Sequence, residues 1–296
     1  MSEDRSLSFT EYQWCLDEFA DVELKDARLN RRCGELAVQL ATQPGGSINH
    51  ACEDWADTKA AYRFFDNKNV TKEELLKPHQ QRTVSRMAEY PVVLAVQDTS
   101  FFNFTHHPKT TGLGAIGNKT QKQQGFGMHS TLAVVPKGLP LGLLTQDFFH
   151  RDPNEPSHRP QDCRKLPIGE KESYRWLQAF EQTVTLAPPG IDVITVCDRE
   201  ADIYEMFVLA QQKDAGLLVR ASTDRALVDK DWDKLWCKVE NQPVVETKIL
   251  VIPKKGQQEK RTATVTLRFT TVTLRPPWRP KGKKPACHYT KRGLSA

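Results

Sequence analysis

Residues 191–207, IDVITVCDREADIYEMF, indicate the class of fold, and we call them the decisive stretch. It opens with a short apolar run, IDVITV, which predicts a buried β-strand. Asp198 comes directly after this strand, where a carboxylate costs free energy unless an arginine, a helix N-terminus or a metal ion meets it. The residues from Ala201 to about Lys213 predict a helix, and GLLVRAST at 216–223 predicts a further strand. The stretch and the residues that follow it, up to 223, therefore predict a strand–helix–strand unit of an α/β sheet.

A different succession of strands precedes this unit. The run PVVLAVQDTSFFNF predicts a strand at 91–104, and residues 128–149 predict a hairpin that turns at 136–138. A helix is predicted at 170–185 and more β-structure at 244–274. Three strands joined without helices, followed by strands that alternate with helices, are typical of a ribonuclease-H-like mixed sheet in the α/β class. The strand–helix–strand part alone also fits a doubly wound sheet, but the hairpin disfavours that alternative.

The first 90 residues predict helices. Apolar side chains recur at helical spacing within 10–42, and two more helices are predicted at 53–66 and 71–88. Thr71 and Glu74 predict a capping box at the start of the third helix. The apolar positions of the second helix are Trp55, Tyr62 and Phe65. Basic side chains fall away from the apolar faces of the first two helices: Arg28, Arg31, Arg32, Lys59 and Arg63.

Composition and charge limit the classes of protein to which the chain can belong. Of the 296 residues 39% are hydrophobic, and no run approaches the roughly 18 apolar residues of a membrane span. The N-terminus has no apolar signal segment and the seven cysteines form no CxxC pair, so we expect a cytoplasmic protein with reduced thiols. The net charge is +5, but residues 248–296 hold 13 Lys or Arg against a single acid, Glu259. Such a basic end suits a polyanionic partner or a solvated tail.

Two carboxylates are candidates for a metal site. Asp98 and Asp198 each end an apolar run, and functional groups gather at the carboxyl ends of strands in α/β sheets. If the two strands are parallel neighbours, the carboxylates repel each other and favour divalent cations between them. Mg²⁺ prefers such oxygen ligands, and a two-metal site of this kind cleaves phosphodiesters. In the alternative reading, each Asp only caps the following turn or helix, and Arg199 and Glu200 are surface residues.

Five segments together point to a known family. They are VCDREADIY at 196–204, AEYPVVLAVQDTS at 88–100, LKDARLNRR at 24–32, KAAYRFFDNKNVT at 59–71 and TTGLGAIGNKTQKQQGFGMHS at 110–130. In this order they resemble the second-aspartate motif, the first-aspartate strand, two DNA-binding segments and the glycine-rich loop of the DDE transposases of the IS-four group. The resemblance is to the Tn-five type in particular.

The resemblance implies a function and a set of site residues. Such a transposase binds the ends of a mobile element, cuts the DNA by Mg²⁺-dependent hydrolysis, and joins the 3′ ends to a target by transesterification. It acts as a dimer on double-stranded DNA. Asp98 and Asp198 match its first two catalytic, metal-binding acids. Five basic residues lie in the segments that resemble its end-binding domain, where each suits either a DNA contact or a solvated surface: Arg28, Arg31, Arg32, Lys59 and Arg63. The implied domains are an end-binding helical domain at 1–90, a catalytic core at 91–225, and a β-rich insertion with a basic tail at 226–296.

The sequence departs from the family at the third acid. The family requires a Glu on a late helix, within a Tyr-Arg-Glu-Lys signature, but after Glu246 the only acid is Glu259, in a predicted turn. We therefore expect a truncated or frameshifted transposase with little or no strand cleavage. Three alternatives stay open. These are a non-catalytic protein that binds transposon ends and inhibits an intact transposase, a product with no selected role, and a metal-dependent nuclease of another family.

Overall fold

The computed structural model describes residues 12–117, 123–151, 166–229 and 231–277. The chain divides into two compact units. The first consists of Met1–Pro153 with Ala179–Val196, and the second of Asn154–Gln178 with Cys197–Ala296. Several predicted features lie outside the described residues: the start of the first helix, part of the glycine-rich loop at 118–122, Cys163, and the basic tail at 278–296 with Cys287.

Helices form the N-terminal part of the first unit. They are α1 (Gln13–Glu18), α2 (Ala27–Thr42), α3 (Ile48–Ala51), α4 (Trp55–Phe65) and α5 (Lys72–Met87). The prediction of one helix over 10–42 is wrong, because the chain leaves the helical path after Glu18. Lys25 has a φ of 62°, and Asp26 then caps α2 by accepting a hydrogen bond from the backbone N–H of Arg28 at 2.8 Å. The predicted helix at 53–66 and the Glu74 N–H to Thr71 hydrogen bond are confirmed.

A small apolar core joins these helices. Its buried residues are Val22, Leu24, Cys33, Leu36, Cys52, Ala61 and Phe64. Cys33 and Leu36 belong to the apolar residues that recur at helical spacing within 10–42, and their burial confirms that this spacing marks the apolar face of α2. The predicted apolar face of α4 is wrong, because Thr58, Ala61 and Phe64 are its buried residues. The large aromatic side chains of that helix are exposed: Trp55, Tyr62 and Phe65.

A mixed sheet follows in the same unit. Its strands are β1 (Val92–Asn103), β2 (Gly114–Ala115), β3 (Gln124–Val134), β4 (Pro140–Phe149) and β5 (Asp192–Cys197), which follows α6 (Tyr174–Leu186). The strand order is β2-β3-β1-β5, with β4 paired to β3. β3 is antiparallel to both β1 and β4, whereas β5 is parallel to β1. The predicted hairpin and the predicted strand of the decisive stretch are therefore confirmed.

Asp98 does not end its strand, contrary to the prediction. β1 continues to Asn103, because β3 pairs with it as far as Asn103↔Gly125 and places Ser130 opposite Asp98. Only the parallel pairing stops early, at Val96↔Val196. Asp98 therefore lies beyond the end of the parallel ladder but within the antiparallel one.

Helix α5 is fixed to α1 and to β4 by a polar network. Arg86 donates to both oxygens of the Glu18 carboxylate at 2.8 and 2.9 Å, and His79 Nδ1 lies 2.6 Å from the same group. His79 Nε2 accepts a hydrogen bond from the backbone N–H of Leu143 at 2.8 Å, so the ring proton belongs on Nδ1. Burial favours a raised pKa for Glu18, but the Arg86 and His79 contacts outweigh it and hold the pKa below its ordinary value.

The second unit contains the rest of the decisive stretch. A 3₁₀ turn (Arg199–Ala201) leads to α7 (Tyr204–Gln212), β6 (Gly216–Val219), α8 (Leu235–Glu240) and a hairpin of β7 (Glu246–Ile252) and β8 (Arg261–Leu267). The predicted helix, strand and β-rich segment are confirmed in type, although β6 ends before Arg220. A buried cluster supports this unit: Tyr204, Val208, Leu227 and Leu274.

Two further sequence predictions concern the whole chain. Across the described ranges, no helix combines the length and the apolar character needed to cross a bilayer. The described cysteines are free thiols, and all but Cys237 are buried.

Candidate nucleic-acid interface and carboxylate site

Arg32 joins two helices of the N-terminal part. Its guanidinium donates to the Asp57 carboxylate at 3.2 Å and to the Asp57 carbonyl oxygen at 2.8 Å, and it lies 3.4 Å from Glu35. Only 15% of the side chain is exposed. The expectation that Arg32 faces away from the packed side of its helix is therefore wrong. Arg32 holds α2 against α4.

Arg28 and Arg31, in contrast to Arg32, extend from α2 into solvent. Arg28 donates to both oxygens of Asp26 at 3.0 and 3.2 Å, and these hydrogen bonds lower the pKa of Asp26 below its ordinary value. Arg31 Nε lies 3.8 Å from Glu35, which is a loose surface contact. Both guanidinium groups are accessible, and an incoming phosphate would compete with an acidic neighbour for each of them.

The exposed side of α4 combines aromatic rings with cations. Trp55 and Tyr62 are 69% and 53% exposed, and Lys59 Nζ lies 6.0 Å from the centroid of the Trp55 ring. Spacings of four and three place these residues on one side of the helix, and Arg63 is exposed beside them. We call Trp55, Lys59, Tyr62 and Arg63 the α4 outer face. Cations that can reach phosphates, set between rings that can contact sugars or bases, suit a nucleic acid.

Asp98 lies on the exposed face of β1. No hydrogen bond or ion pair engages its carboxylate within the described residues. The opposite residue, Ser130, has a buried Oγ that also has no hydrogen-bond partner among them. Two oxygen ligands without partners are therefore adjacent in the antiparallel ladder.

A buried polar group supports β1 from its other face. Thr99 Oγ1 and His129 Nδ1 are 2.8 Å apart, and His129 Nε2 lies 3.4 Å from Gln97 Oε1. His129 and Gln97 are almost completely buried. These contacts fix the residues on either side of Asp98, and the sequence reasoning missed them. The available signal was a Gln and a Thr flanking the aspartate in a strand that is otherwise apolar.

Asp198 caps the turn that follows its strand. One of its carboxylate oxygens accepts a hydrogen bond from the backbone N–H of Glu200 at 2.8 Å, as the capping alternative predicts. The preceding Cys197 is buried, and its burial together with the neighbouring Asp198 charge raises the pKa of the thiol to about 12. The side chain beside the carboxylate is therefore a neutral thiol. Asp198 is half-buried, and its second carboxylate oxygen has no hydrogen-bond partner among the described residues.

Asp202 fixes the same turn to a distant segment. Its buried carboxylate accepts hydrogen bonds from the backbone N–H groups of Ser222 and Thr223, at 2.8 and 2.9 Å, and from Arg225 Nε at 2.8 Å. Burial favours a raised pKa, but these hydrogen bonds outweigh it and lower the pKa of Asp202. The sequence reasoning missed this pair because Asp202 resembles an ordinary first-turn acid of a helix.

The ligand chemistry of the two aspartates suits a hard cation. Asp98 and Asp198 each have at least one carboxylate oxygen without a hydrogen-bond partner among the described residues, and Mg²⁺ is commonly bound through one or two carboxylates plus phosphate oxygens. Within the described ranges, no group of three or more His, Cys, Asp or Glu side chains could hold a metal ion. Asp98 belongs to the first unit and Asp198 to the second. What suits Mg²⁺ is therefore the chemical type of the donor atoms that the two aspartates supply.

The N-terminal helices are similar to a known family of DNA-binding domains. Residues 11–70 match the model of the transposase DNA-binding family. This segment resembles a transposase DNA-binding domain. It includes α1 to α4 and therefore the α4 outer face and all five basic residues predicted to contact DNA.

Two solved structures are similar to the chain at low identity. One is the Mos1 transposase paired-end complex with the left transposon end, at 9% identity and a TM-score of 0.24, covering 64% of this chain. The other is the Mos1 strand transfer complex, at 10% identity and a TM-score of 0.23, covering 63%. The chain spans 58% and 57% of the lengths of those two proteins.

Proposed function

We propose that the chain is a DNA-binding transposase whose N-terminal helices bind the double-stranded ends of a mobile element. The observation that carries the proposal is the match of residues 11–70 to the transposase DNA-binding family. The physical support is the α4 outer face within that segment, where cations and aromatic rings are exposed together. The protein acts in the cytoplasm, at the nucleoid.

The five basic residues have three different roles in this binding. Lys59 and Arg63 of the α4 outer face neutralise phosphates, which supplies affinity that depends on salt. Arg28 and Arg31 exchange their acidic neighbours for phosphates. Arg32 stays with Asp57 and orients α2 and α4, so it acts on DNA only through the position of the two helices.

The test is a selection from a library of DNA duplexes with a random core, using the full chain. A transposase that binds defined ends enriches one family of sequences, and its affinity for the enriched duplex falls steeply as salt is raised. Enrichment of no sequence, or binding that is equal for all duplexes, would contradict the proposal. The enriched duplex then serves as the probe for the later measurements.

We further propose that the chain is a DDE transposase of the IS-four group, similar to the Tn-five type, with a ribonuclease-H-like core. Antiparallel pairing of β1, β3 and β4, with β5 parallel to β1, supports that core. Asp98 and Asp198 would hold Mg²⁺, which when bound activates water or a 3′ hydroxyl for attack on a phosphodiester. Asp198 keeps its Glu200 cap with one oxygen and offers the other to the ion. The active form is a dimer on two ends.

A second candidate function is end binding without cleavage, so that the chain occupies transposon ends and inhibits an intact transposase. The observation that favours it is the capping role of Asp198, which explains this carboxylate without a metal ion. The substitution Asp198→Asn separates the two functions, since Asn caps as well as Asp but has no charge. Mg²⁺-dependent nicking of a plasmid that carries the enriched sequence, lost in D198N, supports the catalytic function. Absence of nicking by the wild-type chain supports the second.

A further inference from the structure

An exposed stack of phenylalanine rings lies on the same face of the sheet as Asp98. Phe126 of β3 is stacked between Phe102 and Phe104, with centroid distances of 5.0 and 5.7 Å and interplanar angles of 16° and 20°. Phe148 of β4 tilts against Phe126 at 5.9 Å. We call these four rings the phenylalanine platform.

The register places the platform and Asp98 on one face. Side chains alternate between the faces of a strand, so Asp98 and Phe102 of β1 share a face. Their partners across the ladder are Ser130 and Phe126, and they share it too. The platform therefore begins four residues along the strand from the candidate catalytic carboxylate, at the end of β1 that is remote from the apolar core.

The platform is open to solvent. Phe102 and Phe148 are 38% and 45% exposed, although packing of the rings with one another already hides part of their surface. Contiguous apolar surface on a soluble protein commonly marks a binding site. A cation is present as well, because Lys72 Nζ lies 5.9 Å from the Phe148 ring centroid. The same Nζ also contacts the carboxylates of Glu73 and Asp147, at 3.4 and 3.7 Å. His107 lies against Phe104, with ring centroids 5.7 Å apart, and Lys109 follows it in an exposed turn.

We propose that the phenylalanine platform binds an unpaired nucleobase of the DNA substrate by stacking. This inference rests on the proposed function, because it takes DNA as the occupant. The rings of Phe102 and Phe104 are each within 20° of parallel to the Phe126 ring. Such a stack can be extended by a planar base, which it matches better than a curved apolar protein surface. Base stacking on aromatic side chains tolerates any sequence, since every base has a π-face. Lys72 and Lys109 then neutralise the phosphates beside the stacked base.

The test measures binding of fluorescein-labelled oligo(dT) to the full chain by fluorescence anisotropy. The double variant Phe102→Leu with Phe148→Leu keeps apolar side chains of similar size but removes two aromatic faces. It should bind oligo(dT) at least about tenfold more weakly, which is the lower range for losing one stacked base. The matched control is Phe101→Leu. Phe101 is 45% exposed and next in sequence, but it lies on the opposite face of β1, so its loss should change the affinity less than about twofold.

Several outcomes would overturn the inference. They are no binding of oligo(dT) by the wild-type chain, equal binding by the double variant, or an equal loss in the Phe101→Leu control. A change in oligomeric state of the double variant without a change in oligo(dT) affinity would show that the platform is covered by a second copy. Binding of the enriched duplex is measured in parallel. If the duplex selection fails while oligo(dT) binding depends on Phe102 and Phe148, then end recognition is wrong and base stacking stands.

Discussion

Replacing Arg32 by Gln tests how the N-terminal helices are held together. The substitution removes the hydrogen bonds from the guanidinium to the Asp57 carboxylate and carbonyl oxygen. It keeps a polar side chain of moderate length. Because Arg32 holds α2 against α4, the substitution should increase local opening of these two helices. It should not remove a contact to DNA.

The size of the expected loss of stability follows from the partial burial of the Arg32–Asp57 ion pair. Breaking a fully buried ion pair costs about 3–5 kcal/mol, whereas an exposed pair is worth about 0–1 kcal/mol. Arg32 and Asp57 are 15% and 21% exposed, and Gln39 still donates to Asp57 at 3.2 Å after the change. The expected loss is therefore about 2 kcal/mol, which is about a 30-fold increase in the local opening equilibrium.

The assay is amide hydrogen exchange of peptides from α2 and α4, followed by mass spectrometry. Exchange in both helices should become about 30-fold faster where it proceeds by local opening. The control is Arg31→Gln, which removes a solvent-exposed arginine one position away and should leave exchange unchanged. If R32Q exchanges like the wild-type chain but binds the enriched duplex much more weakly, the structural assignment of Arg32 is refuted and a direct DNA contact replaces it.

Three other predictions concern stability. Gly142→Ala should lower the melting temperature markedly, because Gly142 has a φ of 139° and a Cβ there would lie 2.2 Å from a side-chain oxygen of α5. Unfolding free energy should fall as acid protonates Glu18: its stabilising contribution is present above an ordinary pKa of 4.5 and is lost as pH drops through the lowered pKa. A pH series of urea titrations on the wild-type chain and on Glu18→Gln checks this, and an unchanged acid limb in the variant would contradict it. Asp202→Ala leaves Arg225 without its carboxylate and should cost about 3 kcal/mol or more. Limited proteolysis should then cut near Arg225 faster than in the wild-type chain.

Local sequence patterns predicted much of the fold. The strand of the decisive stretch is a short apolar run and the β3–β4 hairpin has its turn at 136–138, so both could be predicted from local sequence. The helix at 53–66 was predicted as an element, but its buried face was not. The break between α1 and α2 was missed because apolar spacing continues across it. There the deciding features are the positive φ of Lys25 and the cap provided by Asp26, which propensity alone does not show.

The candidate site was less predictable, because exposure is a tertiary property. Trp55 and Tyr62 have the character of core residues, yet Ala61 and Phe64 fill the core and leave the larger rings outside. Asp98 was placed at a strand end because apolar character stops there. The strand continues because β3 supplies its hydrogen bonds, and no window of β1 alone contains that information.

The salt dependence of binding to the enriched duplex shows whether the α4 outer face contacts DNA phosphates. The measurement compares the wild-type chain with the double variant Lys59→Gln and Arg63→Gln. If both cations neutralise phosphates, the double variant should bind at least about tenfold more weakly, and the slope of log K against log salt should decrease by about 1.8. Equal slopes and equal affinities for the two proteins, with hydrogen exchange in α4 unchanged, would contradict the assignment of the α4 outer face as the DNA-binding surface.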